Sequence, residues 1–255
     1  MLIGAAARDI QLTHAHGIKI ERKTRDFDLA FTTPDWDTFN RLRQNLLASG
    51  KFTEDKSLHK LHHNGPGKCE IDVIPFGGVQ NETGEIAWPP QDVIVMNVIG
   101  FREAHESATL VTLPGRVMVK VASLPGIILL KIAAWRDRRL LPPVGKDAAD
   151  IRTLFREYIN AGNVDRAIEH AAHFFAGDRD RFEEASAWLL GIDAGALLAT
   201  TGADPKTRQY FQEIIRQEVE AGVTSALVSD MRSISPETDL SCLEQFWDGI
   251  QTASR

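Results

Sequence analysis

The residues of this chain that are best suited to chemistry are two carboxylates two positions apart, Asp26 and Asp28. Side chains alternate between the two faces of a β-strand, so these carboxylates share one face and the apolar Phe27 and Leu29 share the other. Such a strand presents an acidic surface on one side, and we expect its other side to contribute to the core.

A third carboxylate lies on a later segment, 69–76, in which Glu70 and Asp72 alternate onto one face of a predicted strand. Three carboxylates in one place repel each other unless their pKa values rise or cations lie among them. Mg²⁺ suits such a site because it takes carboxylate oxygens and completes its shell with water and substrate phosphates. Two ions could activate an attacking hydroxyl and stabilise a leaving pyrophosphate, so the acids predict nucleotidyl transfer from a nucleoside triphosphate.

An Asp-x-Asp pair alone also occurs at strand ends, in turns and in calcium loops, but the predicted order of elements favours a catalytic site. An apolar start at 2–4 and a short helix precede the acidic strand, and a further helix separates it from a hairpin that carries Asp72. From Leu124 onward the pattern is helical. The predicted strands are 18–31, 52–63, 68–75, 93–99 and 109–121. The predicted helices are 9–16, 32–47, 125–140, 146–160, 163–175, 178–190, 205–222 and 236–250.

A second group of candidate site residues is basic. The stretch 131–147 holds five basic residues against two acidic ones, a local reversal in a chain of net charge −6. It reads as the end of one helix, which Ser123 would cap, then a loop and the start of the next helix. Lys131 and one or both of Arg136 and Arg138 could converge on a shared anion. Alternatively, Lys131 reaches water from an otherwise apolar helix face.

These motifs, Ile3-Gly4-Ala5, Asp26-Phe27-Asp28 and the acid of the second strand, resemble the DNA polymerase β-type nucleotidyltransferase superfamily. Within it, they are most similar to the AbiEii-like toxin nucleotidyltransferases of type IV toxin–antitoxin systems, over roughly residues 1–155. The resemblance implies an α+β fold, in which a nucleotidyltransferase-type mixed sheet flanked by helices (1–122) precedes an all-helical domain (123–255). Enzymes of this type usually have a helix ahead of the first strand, which Met1 directly precedes here, so we expect a longer natural chain.

The same resemblance assigns roles to individual acids. Asp26, Asp28 and Asp72 would bind Mg²⁺, with Asp72 favoured over Glu70 because the family acid stands just before an apolar run. Asp72 would also act as the base, or position the base, for the acceptor hydroxyl. In the helical part, Asp150 or Asp147 would position the nucleotide or contribute to catalysis.

The resemblance also implies contacts to the nucleotide. Gly4 and Ala5 would let the backbone approach the triphosphate, although Ala5 lacks the hydroxyl that a family serine supplies. Arg8, in an Arg-Asp pair similar to that of the tRNA nucleotidyltransferases, is a further nucleotide-binding candidate, and its alternative is a surface arginine. Lys131 and Arg136 would contact the phosphates.

The predicted reaction is transfer of a nucleoside monophosphate from an NTP to an acceptor hydroxyl, with release of pyrophosphate. If the toxin resemblance holds, the acceptor is a tRNA 3′ end or another RNA that the basic stretch contacts, and an antitoxin protein is the cognate partner. Two alternatives are a nucleotidyltransferase that modifies small molecules of the antibiotic type, and a catalytically inactive binding protein with the same fold.

Composition agrees with a globular protein of 255 residues that is 43% apolar and 25% charged. Its two cysteines lie far apart without zinc-site spacing, and no signal peptide is apparent, which predicts a reducing cytoplasm. The longest apolar run is too short to span a bilayer. The acidic net charge argues against nonspecific nucleic-acid binding over the whole surface, but it allows a local basic groove.

Overall fold

The computed structural model describes residues 1–20, 24, 26–89, 95–142, 144–176, 181–200 and 203–253. Parts of three predicted elements, namely 21–23 and Arg25, 93–94, and 178–180, lie outside the described residues, as does Pro143 of the loop between two predicted helices.

Residues 1–122, which we call the sheet region, contain a mixed β-sheet. In chain order, the strands are β1 (Leu2–Ile3), β2 (Asp26–Thr33), β3 (Phe52–Glu54), β4 (Lys60–His63), β5 (Glu70–Gly77), β6 (Glu85–Ala87), β7 (Val95–Asn97), β8 (Thr109–Leu113) and β9 (Val117–Val121). Seven of them make one sheet in the order β3-β4-β5-β2-β1-β9-β8, and β6 and β7 form a separate pair. Strands β2 and β5 run parallel, as do β1 and β9, whereas the other neighbours are antiparallel.

The helical region, residues 124–253, contains helices and no strand among its described residues. In chain order the α-helices of the described residues, sheet region included, are α1 (Gly4–Asp9), α2 (Trp36–Ala48), α3 (Phe101–Glu106), α4 (Leu124–Arg138), α5 (Lys146–Glu157), α6 (Val164–His170), α7 (Phe182–Ala199), α8 (Pro205–Glu220), α9 (Ala226–Asp230) and α10 (Pro236–Ala253). A π-helical turn, Ile10–His14, continues α1. The predicted α+β fold, with a mixed sheet before a helical part, is therefore confirmed.

Helix α4 lies at the centre of the molecule. Its cap forms as predicted, because the Ser123 hydroxyl accepts a hydrogen bond from the backbone N–H of Gly126 at 3.2 Å. Residues 127–130 are buried on consecutive positions, so the helix is surrounded by protein on nearly all sides. Lys131 is buried in the same helix. A buried ammonium group requires charged partners, and these partners shape the site described below.

The strand predicted over 18–31 does not include 18–20, and two further local predictions were wrong for physical reasons. The strand predicted over 52–63 is interrupted, because the Asp55 side chain accepts a hydrogen bond from the Ser57 backbone N–H at 2.9 Å and turns the chain between β3 and β4. Phe27, expected to face the core, is 41% exposed near the beginning of β2. The core-facing side of this strand is instead made by Leu29 and Phe31, which pack against buried residues. None of the described helices is long and apolar enough to cross a membrane.

Candidate active site

Four carboxylates lie on one face of strands β2 and β5, and we call this group the acid face. In the parallel pairing, Asp28 stands directly beside Asp72, and Asp26 stands beside Glu70. Paired residues of neighbouring strands point to the same side of a sheet, with the strands about 4.8 Å apart. The structure thus places the three acids that the sequence singled out on one face of the sheet, together with the alternative acid Glu70.

The surroundings of Asp28 shift its pKa. Burial raises its pKa, the charge of Asp72 raises it further, and Lys131, Lys146 and Arg138 on α4 and α5 lower it in part. When a carboxylate is shielded from water beside a second carboxylate, a cation that binds both stabilises their charged forms. Across the acid face, the Oδ1 atom of Asp72 is buried and accepts no hydrogen bond from the described residues.

The donor set fits a divalent ion held mainly by a pair of acids. In the described part of the chain, no three or more His, Cys, Asp or Glu side chains lie close enough to share an ion. Asp26 is exposed at the first position of β2, away from the buried end of the acid face. Mg²⁺ is commonly bound by one or two carboxylates, with water and substrate phosphates as further ligands. Asp28 and Asp72 meet that requirement, and the predicted part of Asp26 in metal binding stays a prediction.

Gly4 lies against the acid face where β1 passes into α1. Its φ of +68° is in the left-handed region, and a Cβ atom there would lie 1.9 Å from Oδ2 of Asp28. Only glycine tolerates both the backbone angle and the close approach of the carboxylate. Gly4 therefore lets the backbone pass close to Asp28, and its predicted approach to the triphosphate stays a prediction. Its neighbour Ala5 is buried.

Beside the acid face, five residues form a chain of alternating charge, which we call the charge network. The Arg8 guanidinium binds Asp150, Lys131 Nζ lies 2.6 Å from Oδ2 of Asp150 and 3.0 Å from Oδ1 of Asp147, and Arg138 donates two hydrogen bonds of 2.8 and 2.9 Å to Asp147. Arg8, Asp150, Lys131 and Asp147 are all at most 5% exposed. The network joins α1 of the sheet region to α4 and α5 of the helical region.

The charge network changes the expected roles of several residues. Arg8 is 1% exposed and is therefore not a surface arginine, while Lys131 contacts two carboxylates and does not reach water. Burial alone would raise the pKa of Asp147, but hydrogen bonds from Arg138 and the charge of Lys131 outweigh it and lower this pKa to about 2. The sequence left the choice between Asp147 and Asp150 open. Both acids contact Lys131, so both belong to the charge network.

Arg138, not Arg136, lies on the same side of α4 as Lys131. Seven residues are close to two full helical turns, whereas five residues place Arg136 well away from Lys131 around the helix axis. Arg136 is exposed and forms no ion pair with the described residues. The seven-residue spacing was visible in the sequence and could have identified Arg138 as the site residue.

A basic cleft opens next to the charge network. It has a volume of about 170 Å³, and its walls include Trp135, Arg138, Arg139, Lys146 and Asp147. The Arg139 guanidinium lies over the Trp135 ring at 5.3 Å, and the indole N–H donates to Asp230 at 2.8 Å, so the aromatic wall is fixed in orientation. The charges of Arg138 and Lys146 also lower the pKa of Asp28, so the cleft lies within electrostatic range of the acid face.

A family model described as "Nucleotidyl transferase AbiEii toxin, Type IV TA system" matches residues 11–239, which is most of the chain. No curated protein shows a significant match.

Proposed function

The chain belongs to the AbiEii family of nucleotidyltransferase toxins of type IV toxin–antitoxin systems, and from this premise we propose a specific reaction and acceptor. The protein transfers a nucleoside monophosphate from an NTP to the terminal hydroxyl of an RNA, with tRNA as the first candidate, and releases pyrophosphate. An antitoxin is its cognate partner.

The observation that carries the proposal is the pairing of Asp28 and Asp72 in register on adjacent parallel strands. Asp28 is partly buried and has a raised pKa, and Asp72 has a buried oxygen without a hydrogen-bond donor among the described residues. Both features suit a site that is completed by a divalent cation. Asp28 and Asp72, with Asp26, would hold Mg²⁺, which when bound would polarise the reacting phosphate and lower the pKa of the attacking hydroxyl.

Other side chains near the acids would orient the acceptor hydroxyl and bind the triphosphate. Oδ1 of Asp72 has no donor among the described residues, so it can orient the acceptor hydroxyl and receive its proton. Arg138 and Lys146 line the basic cleft and are placed to bind the triphosphate, a role first expected of Lys131 and Arg136. Lys131 acts indirectly, because its bonds to Asp147 and Asp150 hold α4 against α5 and so fix the position of Arg138.

The basic cleft also supports a nucleic-acid acceptor. Its arginines and lysine can contact backbone phosphates, and the immobilised Trp135 ring borders the same space. A cleft of this kind produces local affinity for RNA in a chain whose net charge is −6, and that affinity should fall with rising salt.

The test is to incubate the full chain with each α-³²P-labelled NTP, Mg²⁺ and total tRNA, and to separate labelled RNA from free nucleotide. Asp28→Asn and Asp72→Asn should each lower labelling by at least about 100-fold, because each removes charge that stabilises the transition state. Asp37→Asn is the matched control, since Asp37 is an exposed aspartate on α2 outside the acid face. Arg138→Met should weaken NTP use far more than Arg136→Met, which removes the same charge from the same helix.

Three outcomes would contradict the proposal in different ways. Labelling of an aminoglycoside-like polyamine but not of RNA would indicate a small-molecule enzyme. Absence of labelling, together with no thermal shift on addition of NTP and Mg²⁺, would indicate an inactive binding protein. RNA labelling that survives both acid-face substitutions would show that the chemistry takes place elsewhere.

A further inference from the structure

Lys60, on strand β4 next to β5, lies beside the acid face. Strand β4 pairs antiparallel with β5, and this pairing sets Lys60 directly opposite Asp72. The side chains of Lys60 and Asp72 are 27% and 25% exposed, so the group borders solvent. Three neighbouring strands therefore present Lys60, Asp72 and Asp28 as one row.

The ammonium group of Lys60 contacts the two acids of β5 at different distances. Its Nζ atom donates a hydrogen bond of 2.6 Å to Oε2 of Glu70, but it lies 3.7 Å from Oδ1 of Asp72, which is too far for a hydrogen bond. Glu70 is thus engaged by a cation of the protein itself. Asp72 keeps a buried oxygen without a donor among the described residues.

We infer that Lys60 is a positioning residue of the proposed reaction, which withholds Glu70 from the cation site and leaves Asp72 as the acid that acts with Asp28. Glu70 stands beside Asp26 just as Asp72 stands beside Asp28, so the strand pairing alone offers two pairs of carboxylates. Lys60 breaks that equivalence, because it donates a direct hydrogen bond to Glu70 and only a longer ion pair of 3.7 Å joins it to Asp72. This inference rests on the proposed function.

The consequence concerns how strongly the acid face attracts divalent ions. Its four carboxylates carry a formal charge of −4, which Lys60 reduces to −3. Removing the ammonium group leaves Glu70 free beside Asp26, so the face gains both negative charge and a second site for an ion. At separations of several ångströms in a solvent-bordered site, one unit of charge alters the affinity for a divalent ion by on the order of 10-fold.

The experiment measures Mn²⁺ binding to the full chain by electron paramagnetic resonance of free Mn²⁺, without nucleotide. Lys60→Met should bind Mn²⁺ on the order of 10-fold more tightly than the unmodified chain, or bind an additional ion. Lys60→Arg keeps the charge and should behave as the unmodified chain. The double variant Lys60→Met/Glu70→Gln restores the formal charge of −3 and should return to within about 3-fold of the original affinity. A merely structural role of Lys60 would not produce this rescue.

The controls separate the failure of this inference from the failure of the proposed function. If Asp28→Asn abolishes Mn²⁺ binding but Lys60→Met binds Mn²⁺ as the unmodified chain does, the role of Lys60 is overturned and the proposed function stands. If no variant shows Mn²⁺ binding that depends on Asp28, both are overturned. Should Lys60→Met lose its native circular dichroism spectrum, Lys60→Gln replaces it, because the neutral amide also removes the positive charge from the acid face, and a gain of the same order is expected.

Discussion

Replacing Lys131 by methionine tests whether the charge network stabilises the fold. Lys131 Nζ lies 2.6 and 3.0 Å from two carboxylates, and at an effective dielectric constant of about 20 each contact is worth roughly 6 kcal/mol before desolvation. Burying the ammonium group costs several kcal/mol, and each carboxylate keeps an arginine after the change. We therefore expect a loss of about 3 kcal/mol in the free energy of unfolding, at the lower end for broken buried ion pairs.

The assay is urea unfolding followed by far-UV circular dichroism, with Arg136→Met as the matched control. Arg136 lies on the same helix but is exposed and outside the network, so its replacement should change the free energy of unfolding by less than about 0.5 kcal/mol. In the double variant Lys131→Met/Asp150→Asn, the loss should differ from the sum of the single losses by about 1–3 kcal/mol. Equal small losses for Lys131→Met and Arg136→Met would refute the reasoning.

Two further predictions concern Gly4 and the pH dependence of stability. Gly4→Ala should destabilise the fold by clearly more than Gly115→Ala, since both glycines have positive φ but only at Gly4 would the new Cβ atom meet Asp28; comparable melting temperatures would contradict this. Asp147, whose pKa falls from about 3.9 when unfolded to about 2 when folded, stabilises the fold fully above about pH 4. That contribution, about 2.5 kcal/mol, should disappear as the pH falls through 2, and urea unfolding at pH 5 and pH 2.5 should show a steeper decline for the unmodified chain than for Asp147→Asn.

The acid face illustrates what a single sequence can predict. The alternation of side chains along β2 predicted that Asp26 and Asp28 share one face. The apolar run after Asp72 predicted that this acid lies on a strand. Both signals are local in the sequence. The hairpin that carries Asp72 was also predictable from its turn residues. That β2 and β5 pair in parallel with Asp28 beside Asp72 depends on the topology of the sheet, which local patterns do not specify.

The charge network shows where such prediction ends. Arg8 and Asp150 are separated by 142 positions, and nothing near either residue indicates that the two meet. Lys131 within an apolar helix showed that an anion or water had to be close, but it did not show that the anions were Asp147 and Asp150. Lys60 was missed because the strand predicted over 52–63 hid the turn that places it at the beginning of β4.

The contact between Arg8 and Asp150 bears on how this protein can be divided. A boundary near residue 122 looks natural, since the last strand ends at Val121 and helices follow. A fragment cut there would keep Arg8 with its neighbour Asp9 but lose its buried partner Asp150, along with the helix that covers α1. Separately expressed pieces should therefore be much less stable than the full chain, and the polypeptide should complete the candidate active site only after the ribosome has released residues well beyond 150.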